Sequence, residues 1–286
     1  METIQREGLS FLLVFSCVAQ QADLNLRASI WEIHRKILNP VFKEKMVSSY
    51  VASMVKNSNR LNNILETTNG KNIDFRHYVH LCTLDIILES LLESYLNLQS
   101  NPDCKFGEYM SKMMDITIAL KFWLHPNILF NNSSKGKRLQ EYLSHINKIT
   151  SEGSDTAANT LSFLFLMLAT FPDIQNQCSY GRYYNTMEDT KKMKNLDRVI
   201  KETLRLFPAA PFIARKLYRD TRGIFTYNKI YFSQIFGMTQ MQVIAATLLR
   251  KFLVRIDDPV SVENIDLKFR ITLQPAETIF LRFNKR

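Results

Sequence analysis

The sequence has 286 residues, which is enough for one large domain or two of ordinary size. A hydrophobic content of 46%, with only 8 glycines and 8 prolines, is typical of a packed globular chain and excludes a disordered or collagen-like protein. The formal net charge of +10 suits an anionic membrane surface or an acidic protein partner, and because no basic block with interleaved aromatic residues is present, we expect no nucleic-acid binding.

The first 28 residues contain an apolar run, residues 9–19, that is shorter than the roughly 20 residues a membrane-spanning helix needs. In length this run resembles the hydrophobic region of a signal peptide, and Cys17-Val18-Ala19 would serve as a cleavage site. Glu2 and Glu7, however, stand where such peptides carry basic residues. We therefore expect no clear membrane anchor here and treat residues 1–28 as a divergent N-terminal segment.

Helical spacing of apolar residues dominates the next part of the chain. Residues 29–54 are predicted to form two helices that meet at a bend at Pro40. The asparagine-rich residues 57–71 are predicted to be a connection, and residues 77–96 a long core helix. Two shorter helices are predicted over residues 107–120 and 139–149.

The most apolar helix is predicted to begin at residues 153–156 and to run to Pro172, so we expect it in the middle of the fold. A charged amphipathic helix follows over residues 188–207 and ends at Pro208. The helical spacing of apolar residues also predicts a helix over residues 238–252.

Alternating apolar and polar residues near the C-terminus predict strands. Residues 267–273 and 279–283 are predicted to form a hairpin whose loop is residues 274–277. The fold class expected from the whole chain is therefore mainly α with small β elements.

Four segments of the chain share one resemblance. In chain order they are Trp31-Glu-Ile-His-Arg35-Lys, Glu152-Gly-Ser-Asp-Thr156-Ala, Lys201-Glu-Thr-Leu-Arg-Leu-Phe-Pro208 with the following Pro211 to Arg215, and Phe236-Gly-Met-Thr-Gln-Met241. They resemble the C helix, central helix, K helix and L helix of the cytochrome P450 superfamily of haem-thiolate monooxygenases. The glutamate that begins the second segment is typical of family 4. The resemblance implies an incomplete cytochrome P450 fold, with residues 29–286 as a single partial domain.

The resemblance implies catalytic roles at the start of the central helix. Asp155 and Thr156 would belong to the relay that delivers protons to iron-bound oxygen. Glu152 matches the carboxylate that forms an ester with a haem methyl group in family 4. From the residues alone, Asp155 and Thr156 would instead be capping residues, and Glu152 a first-turn glutamate favoured by the helix dipole.

Further positions would bind haem and substrate by the same resemblance. Trp31, Arg35 and Arg215 would hold the haem propionates, because the planar guanidinium group meets a carboxylate with two hydrogen bonds. By itself, Trp31 would be read as a core aromatic residue. The substrate pocket would be lined by Ala209, Ala210 and Phe212.

The Glu202 and Arg205 side chains lie one helical turn apart, and in isolation such a pair is most often a solvated surface pair. The resemblance implies that they form a structural pair, which in the family also contacts an arginine-bearing segment. This chain has no such segment. We therefore expect a buried pair that is left partly unpaired. The unpaired charge would lower the free energy of unfolding by about 3–5 kcal/mol, so we expect the chain to fold poorly.

The family holds its iron through a cysteine thiolate in a glycine-rich loop just before the L helix. Residues 220–237 contain no cysteine, so we assign no metal ligand and expect a truncated member whose haem retention is in doubt. The four cysteines, which include no C-x-x-C pair and so do not indicate a zinc site, are Cys17, Cys82, Cys104 and Cys178. Cys82, within a predicted core helix, is expected to be a buried inert thiol, and neither Cys104 nor Cys178 matches the ligand position.

As a family member, the protein would insert one oxygen atom into a lipophilic or fatty-acid-like substrate, using haem, O₂ and an NADPH-dependent reductase. It would lie on the cytosolic face of the endoplasmic reticulum membrane, where its positive surface would dock an acidic reductase. We expect this activity to be impaired in the present chain. The alternative is a non-catalytic helical protein that binds a ligand or a partner, or a gene remnant of the same family.

Overall fold

The computed structural model describes residues 42–92, 95–101, 154, 156–179, 186–211, 234–269 and 272–286. Its helices in these ranges are α1 (Glu44–Thr67), α2 (Phe75–Leu92), α3 (Thr156–Thr170), α4 (Pro172–Cys178), α5 (Met187–Lys192), α6 (Lys194–Leu206) and α7 (Gln234–Lys251). The strands are β1 (Ile73–Asp74), β2 (Phe252–Arg255), β3 (Leu267–Phe269), β4 (Leu273–Pro275) and β5 (Phe280–Lys285), and a 3₁₀ turn spans Val262–Asn264. The protein is mainly helical with small sheets, which confirms the predicted fold class.

Helices α1 and α7 form the most extensive helix pair of the described chain. One face of α1 buries apolar side chains at spacings of three, four and seven residues, as ridge packing between helices requires: Val47, Val51, Met54, Leu61 and Leu65. On α7, residues 239–249 are all buried, so protein surrounds this helix on every side. The Asn62 amide of α1 donates a hydrogen bond to the Thr247 carbonyl of α7, 3.3 Å away.

Helix α3 lies in the middle of the fold, as its sequence predicts. Residues 157–168 are all buried, because a helix that is apolar on every side must be covered on every side. The Phe165 ring lies 4.9 Å from the Phe75 ring of α2. Among the described residues, no single helix combines the length and the apolarity needed to cross a bilayer; α3 and α4 meet that criterion only as a pair bent by 116°.

A three-stranded antiparallel sheet with the order β1-β5-β2 closes one side of this core. The register places Ile73 opposite Leu281 and Val254 opposite Phe283. Leu281 and Phe283 face inward and are buried, while Phe280 and Arg282 face outward. The alternation along β5 is therefore the predicted one, and it places the Phe283 ring against the aromatic core.

The predicted connection at residues 57–71 is wrong over most of its length, because α1 continues to Thr67. The polar side chains that suggested a loop are buried and bonded: the Asn57 amide donates to Glu89 Oε2 at 2.7 Å, and the Ser58 hydroxyl donates to the Met54 carbonyl. The turn comes only at Asn69 and Gly70, which have φ of 50° and 71°. Gly70 packs against Asn284, where a Cβ atom would lie 2.6 Å from the Asn284 oxygen.

The helix predicted over residues 188–207 is broken in two. Helix α5 ends and α6 begins at Met193, whose ψ of 56° is not helical and whose side chain is buried. The Thr186 hydroxyl caps α5 by accepting a hydrogen bond from the Asp189 amide. The long helix predicted over residues 77–96 runs instead from Phe75 to Leu92, and the helix predicted to end at residue 252 ends at Lys251, because Phe252 begins β2.

The predicted C-terminal hairpin is also wrong. Strand β3 pairs with β4, with Phe269 opposite Leu273, so residues 274 and 275 belong to a strand and not to a loop. Strand β5 pairs with β1 and β2 instead. Alternation indicates that a segment is a strand, but it contains no information about the partner. The helices predicted over residues 107–120 and 139–149, the bend at Pro40 and the N-terminal segment lie outside the described residues.

Candidate functional site

The described residues include five of the predicted site residues. Their side chains lie at the start of α3, on α6 and just after α6: Thr156, Glu202, Arg205, Ala209 and Ala210. The others lie outside the described residues: Trp31, Arg35, Glu152, Asp155, Phe212 and Arg215.

The start of α3 is held by polar contacts to α2. Ser154 is buried, its Oγ lies 2.9 Å from Nε2 of His80, and its carbonyl accepts a hydrogen bond from the Thr83 hydroxyl. Two residues later, Thr156 is half-buried, and its carbonyl accepts a hydrogen bond from the Thr160 hydroxyl. These contacts position the start of α3 at Thr156, and the sequence did not single out His80, since one histidine on a core helix carries no motif.

A second polar chain follows one turn further along α3. Arg76 Nε of α2 donates to Asn159 Oδ1 at 2.7 Å, and the Asn159 amide donates to the Thr272 hydroxyl at 3.1 Å. The next residue along, Leu273, donates its backbone N–H to the Ala209 carbonyl at 3.1 Å. The Thr272-Leu273 step therefore brings the segment after α6, with Ala209 and the half-buried Ala210, to the same side of the molecule as the first turns of α3.

The end of α6 is anchored by an aromatic stack. The Phe207 ring lies 4.3 Å from the Phe163 ring of α3, with 4° between the two planes. Both rings are buried, together with Leu166, Met167 and Leu273. This small cluster holds the end of α6 against the middle of α3.

Glu202 and Arg205 make direct contact with each other. Arg205 donates two hydrogen bonds, from Nε at 2.9 Å and from Nη2 at 2.7 Å, to the two carboxylate oxygens of Glu202. These bonds lower the pKa of Glu202 and raise that of Arg205. The side chains are 55% and 68% exposed, so the expectation of a buried, partly unpaired pair is wrong: no arginine-bearing segment covers them in the described chain, and each satisfies the other in water.

Because that pair is solvated, Arg205→Ala is expected to leave the midpoint of thermal unfolding unchanged within error. Circular dichroism melting curves of the two proteins measure this. Lys201→Ala, which removes an exposed lysine paired with Asp197 on the same helix, is the matched control. A large drop for Arg205→Ala alone would show that the pair is buried against residues outside the described ranges.

Neither described cysteine lies between α6 and α7, where the resemblance places the iron ligand. Cys82 is fully buried in α2, as predicted, and desolvation raises the pKa of its thiol far above the usual range. Cys178 is buried at the end of α4, and desolvation raises its pKa to about 11. A haem-thiolate site needs an ionised sulfur facing the iron. Neither described cysteine occupies the position just before the L helix at which the resemblance places that sulfur, and the described residues contain no cluster of three or more His, Cys, Asp or Glu side chains that would hold a metal.

Comparison with known proteins identifies the relatives of the chain. The cytochrome P450 family profile matches residues 19–152 and 139–222. The chain is 27% identical over 270 residues to cytochrome P450 4V2 of Mus musculus, with 69% of this chain and 51% of that protein covered. It is 23% identical over 261 residues to probable cytochrome P450 4s3 of Drosophila melanogaster, with 66% and 52% covered. The chain therefore spans about half the length of the curated relatives it matches.

The fold has a solved counterpart. The crystal structure of a cytochrome P450, CYP102L1, superposes with a TM-score of 0.68 over 96% of this chain and 87% of that one, at 16% sequence identity. At that identity the match establishes the arrangement of helices and sheets.

Proposed function

The chain belongs to the cytochrome P450 family, and from that membership we propose a lineage activity and a loss. The lineage activity is the insertion of one oxygen atom of O₂ into a lipophilic or fatty-acid-like substrate, with haem as the cofactor. Electrons would come from an NADPH-dependent reductase on the cytosolic face of the endoplasmic reticulum membrane. The loss is that this 286-residue chain does not carry out the reaction through a haem-thiolate centre.

The substrate class and the location rest on similarity to family 4 proteins. The net charge of +10 supports docking to an acidic reductase and to an anionic membrane surface. The haem and substrate contacts at Trp31, Arg35, Arg215 and Phe212 are proposed from their matches to the family segments alone.

One observation carries the proposed loss. After Cys178 the sequence contains no cysteine, although it continues through α6 and α7, between which the family places its ligand. The two described cysteines lie elsewhere: Cys82 is within α2 and Cys178 is at the end of α4. Nothing in the described chain supplies the missing thiolate.

A second candidate function, a non-catalytic ligand-binding protein, is supported by how complete the remaining core is. The α1–α7 pair, α3 and the three-stranded sheet form one hydrophobic cluster. In the described residues only three buried side-chain polar atoms lack a hydrogen-bond partner. A scaffold of this kind can keep a cavity after its redox chemistry is gone.

A turnover assay tests the proposed loss. The chain is combined with haem, an NADPH-dependent cytochrome reductase, phospholipid vesicles and a medium-chain fatty acid, with a full-length family 4 cytochrome P450 that hydroxylates this acid as the positive control. We expect no hydroxylated product above that of the mixture without the chain. Product that requires both the chain and NADPH would overturn the proposal, and Cys178→Ser would then show whether that thiol had been recruited.

A further inference from the structure

A cavity of about 380 Å³ opens between α5, α6 and the first turns of α7, away from the polar contacts of α3. Its apolar lining consists of Met187, Ile235 and Met238. Thr239 donates its hydroxyl hydrogen bond to the Met187 sulfur at 3.5 Å, and this contact holds the Met187 side chain in place. The volume lies within the range of natural small-molecule sites, about 300–1,000 Å³.

The rim of this cavity carries unpaired positive charge. Lys194 and Arg198 line it, one helical turn apart on α6, and neither forms an ion pair within the described residues. A third lining cation, Lys191, is already paired with Glu44 of α1. Neither of these two cations on one helix face has an ion-pair partner in the described ranges, and like charges repel each other, so an anion between them would be stabilised.

The lining carboxylate does not cancel that charge. Asp197 accepts a hydrogen bond on each carboxylate oxygen, from Lys201 Nζ at 2.6 Å and from the Gln242 amide at 3.1 Å. Lys201 neutralises Asp197 from outside the cavity lining. The cavity therefore has an apolar floor, and two of the cations at its edge, Lys194 and Arg198, have no ion-pair partner in the part of the chain that the structure describes.

We propose that this cavity binds a small amphipathic monoanion: a carboxylate or sulfonate that contacts Lys194 and Arg198, attached to an aromatic ring that packs on the two methionines. Thioether sulfur makes favourable contacts with aromatic rings, which favours a ring over a flexible chain. The guanidinium group of Arg198 presents paired donors that match a carboxylate. This inference does not depend on haem or on the proposed oxygenation history.

The test uses the full chain labelled with ¹³C at the methionine methyl groups, titrated with naphthalene-2-carboxylate and followed by NMR. The Met187 and Met238 signals are assigned with Met187→Leu and Met238→Leu. We expect both signals to shift and saturate together, with the other nine methionines of the sequence as internal references. The uncharged 2-naphthamide is expected to bind about fivefold more weakly or worse, as is the acid at raised salt.

Charge variants locate the anion. Arg198→Gln and Lys194→Gln are each expected to weaken binding of the acid about three- to fivefold and to leave binding of the amide unchanged. Lys192→Gln removes an exposed cation that does not line the cavity and is the matched control. The proposal is overturned if the two methionine signals do not move, if acid and amide bind equally, or if Lys192→Gln weakens binding as much as Arg198→Gln does.

Discussion

Phe283→Ala is expected to lower the free energy of unfolding by about 3–5 kcal/mol, the cost of a large cavity in a packed core. The Phe283 ring is 2% exposed and lies 4.9 Å from the Phe75 ring, 6.0 Å from Phe165 and 5.8 Å from Phe252. These four rings join α2, α3 and the sheet, so no single element can move inward to fill the space. Urea denaturation followed by circular dichroism gives the measurement.

Phe280→Ala is the matched control for that substitution. Phe280 lies on the same strand, but its side chain is 53% exposed and it faces away from the core. Its removal is expected to change the free energy of unfolding by about 0.5 kcal/mol or less. Equal losses for the two variants would mean that the inward and outward faces of β5 have been assigned incorrectly.

Gln175→Leu is expected to lower the free energy of unfolding by about 3 kcal/mol, because it removes the side chain that hydrogen-bonds two backbone carbonyls and one backbone N–H in the interior. The Gln175 amide donates to the Leu168 carbonyl at 2.8 Å and to the Val254 carbonyl at 2.9 Å, and its oxygen accepts from the Val254 N–H at 2.8 Å. Strand β2 is at the edge of its sheet, so this one side chain satisfies the open side of the strand at Val254. Leucine has similar volume and offers no hydrogen bond.

Gln177→Leu, two residues away on the same short helix and exposed, serves as the control and is expected to be close to neutral. Hydrogen exchange at the Val254 amide gives an independent readout, because that proton should lose protection in Gln175→Leu and keep it in Gln177→Leu. If Gln175→Leu unfolds at the same urea concentration as the parent protein, the amide is not the partner that this edge requires.

Patterns that depend on one element alone were predicted correctly. The burial of α3 follows from its composition, because a segment that is apolar on all sides has to be covered on all sides. The inward and outward faces of β5 follow from strict alternation at Leu281 and Phe283. In both cases the neighbours do not have to be known.

Features that depend on a distant partner were missed. Asn57 and Asn62 suggested a loop, but both lie within α1. The Asn57 amide donates a hydrogen bond to Glu89 of α2, and the Asn62 amide donates one to the Thr247 carbonyl of α7. The pairing of β5 with β1 and β2 likewise depends on where two other strands lie. Gln175 had no sequence signal at all, since one glutamine in a short polar segment has no periodicity to mark it.

For the candidate site, the resemblance predicted contact between Glu202 and Arg205, and local spacing was sufficient for that. It did not predict their exposure, because exposure is set by what packs over the pair. The functional roles assigned to the site residues stay predictions, both for those outside the described residues (Trp31, Arg35, Glu152, Asp155, Phe212 and Arg215) and for Thr156, Ala209 and Ala210. The absence of a cysteine between the K-helix-like and L-helix-like segments can be seen in the sequence directly, because it does not depend on the fold.

We propose above that this cytochrome P450 chain has the family's fold without its iron ligand. The most direct measurement is the carbon monoxide difference spectrum of the reduced chain, expressed in cells with ample haem, because the position of the band reports a thiolate on the iron. We expect either no haem spectrum or one typical of nitrogen ligation. A normal haem-thiolate band would contradict it, and the loss of that band in Cys178→Ser or in Cys104→Ser would identify the sulfur that had been overlooked.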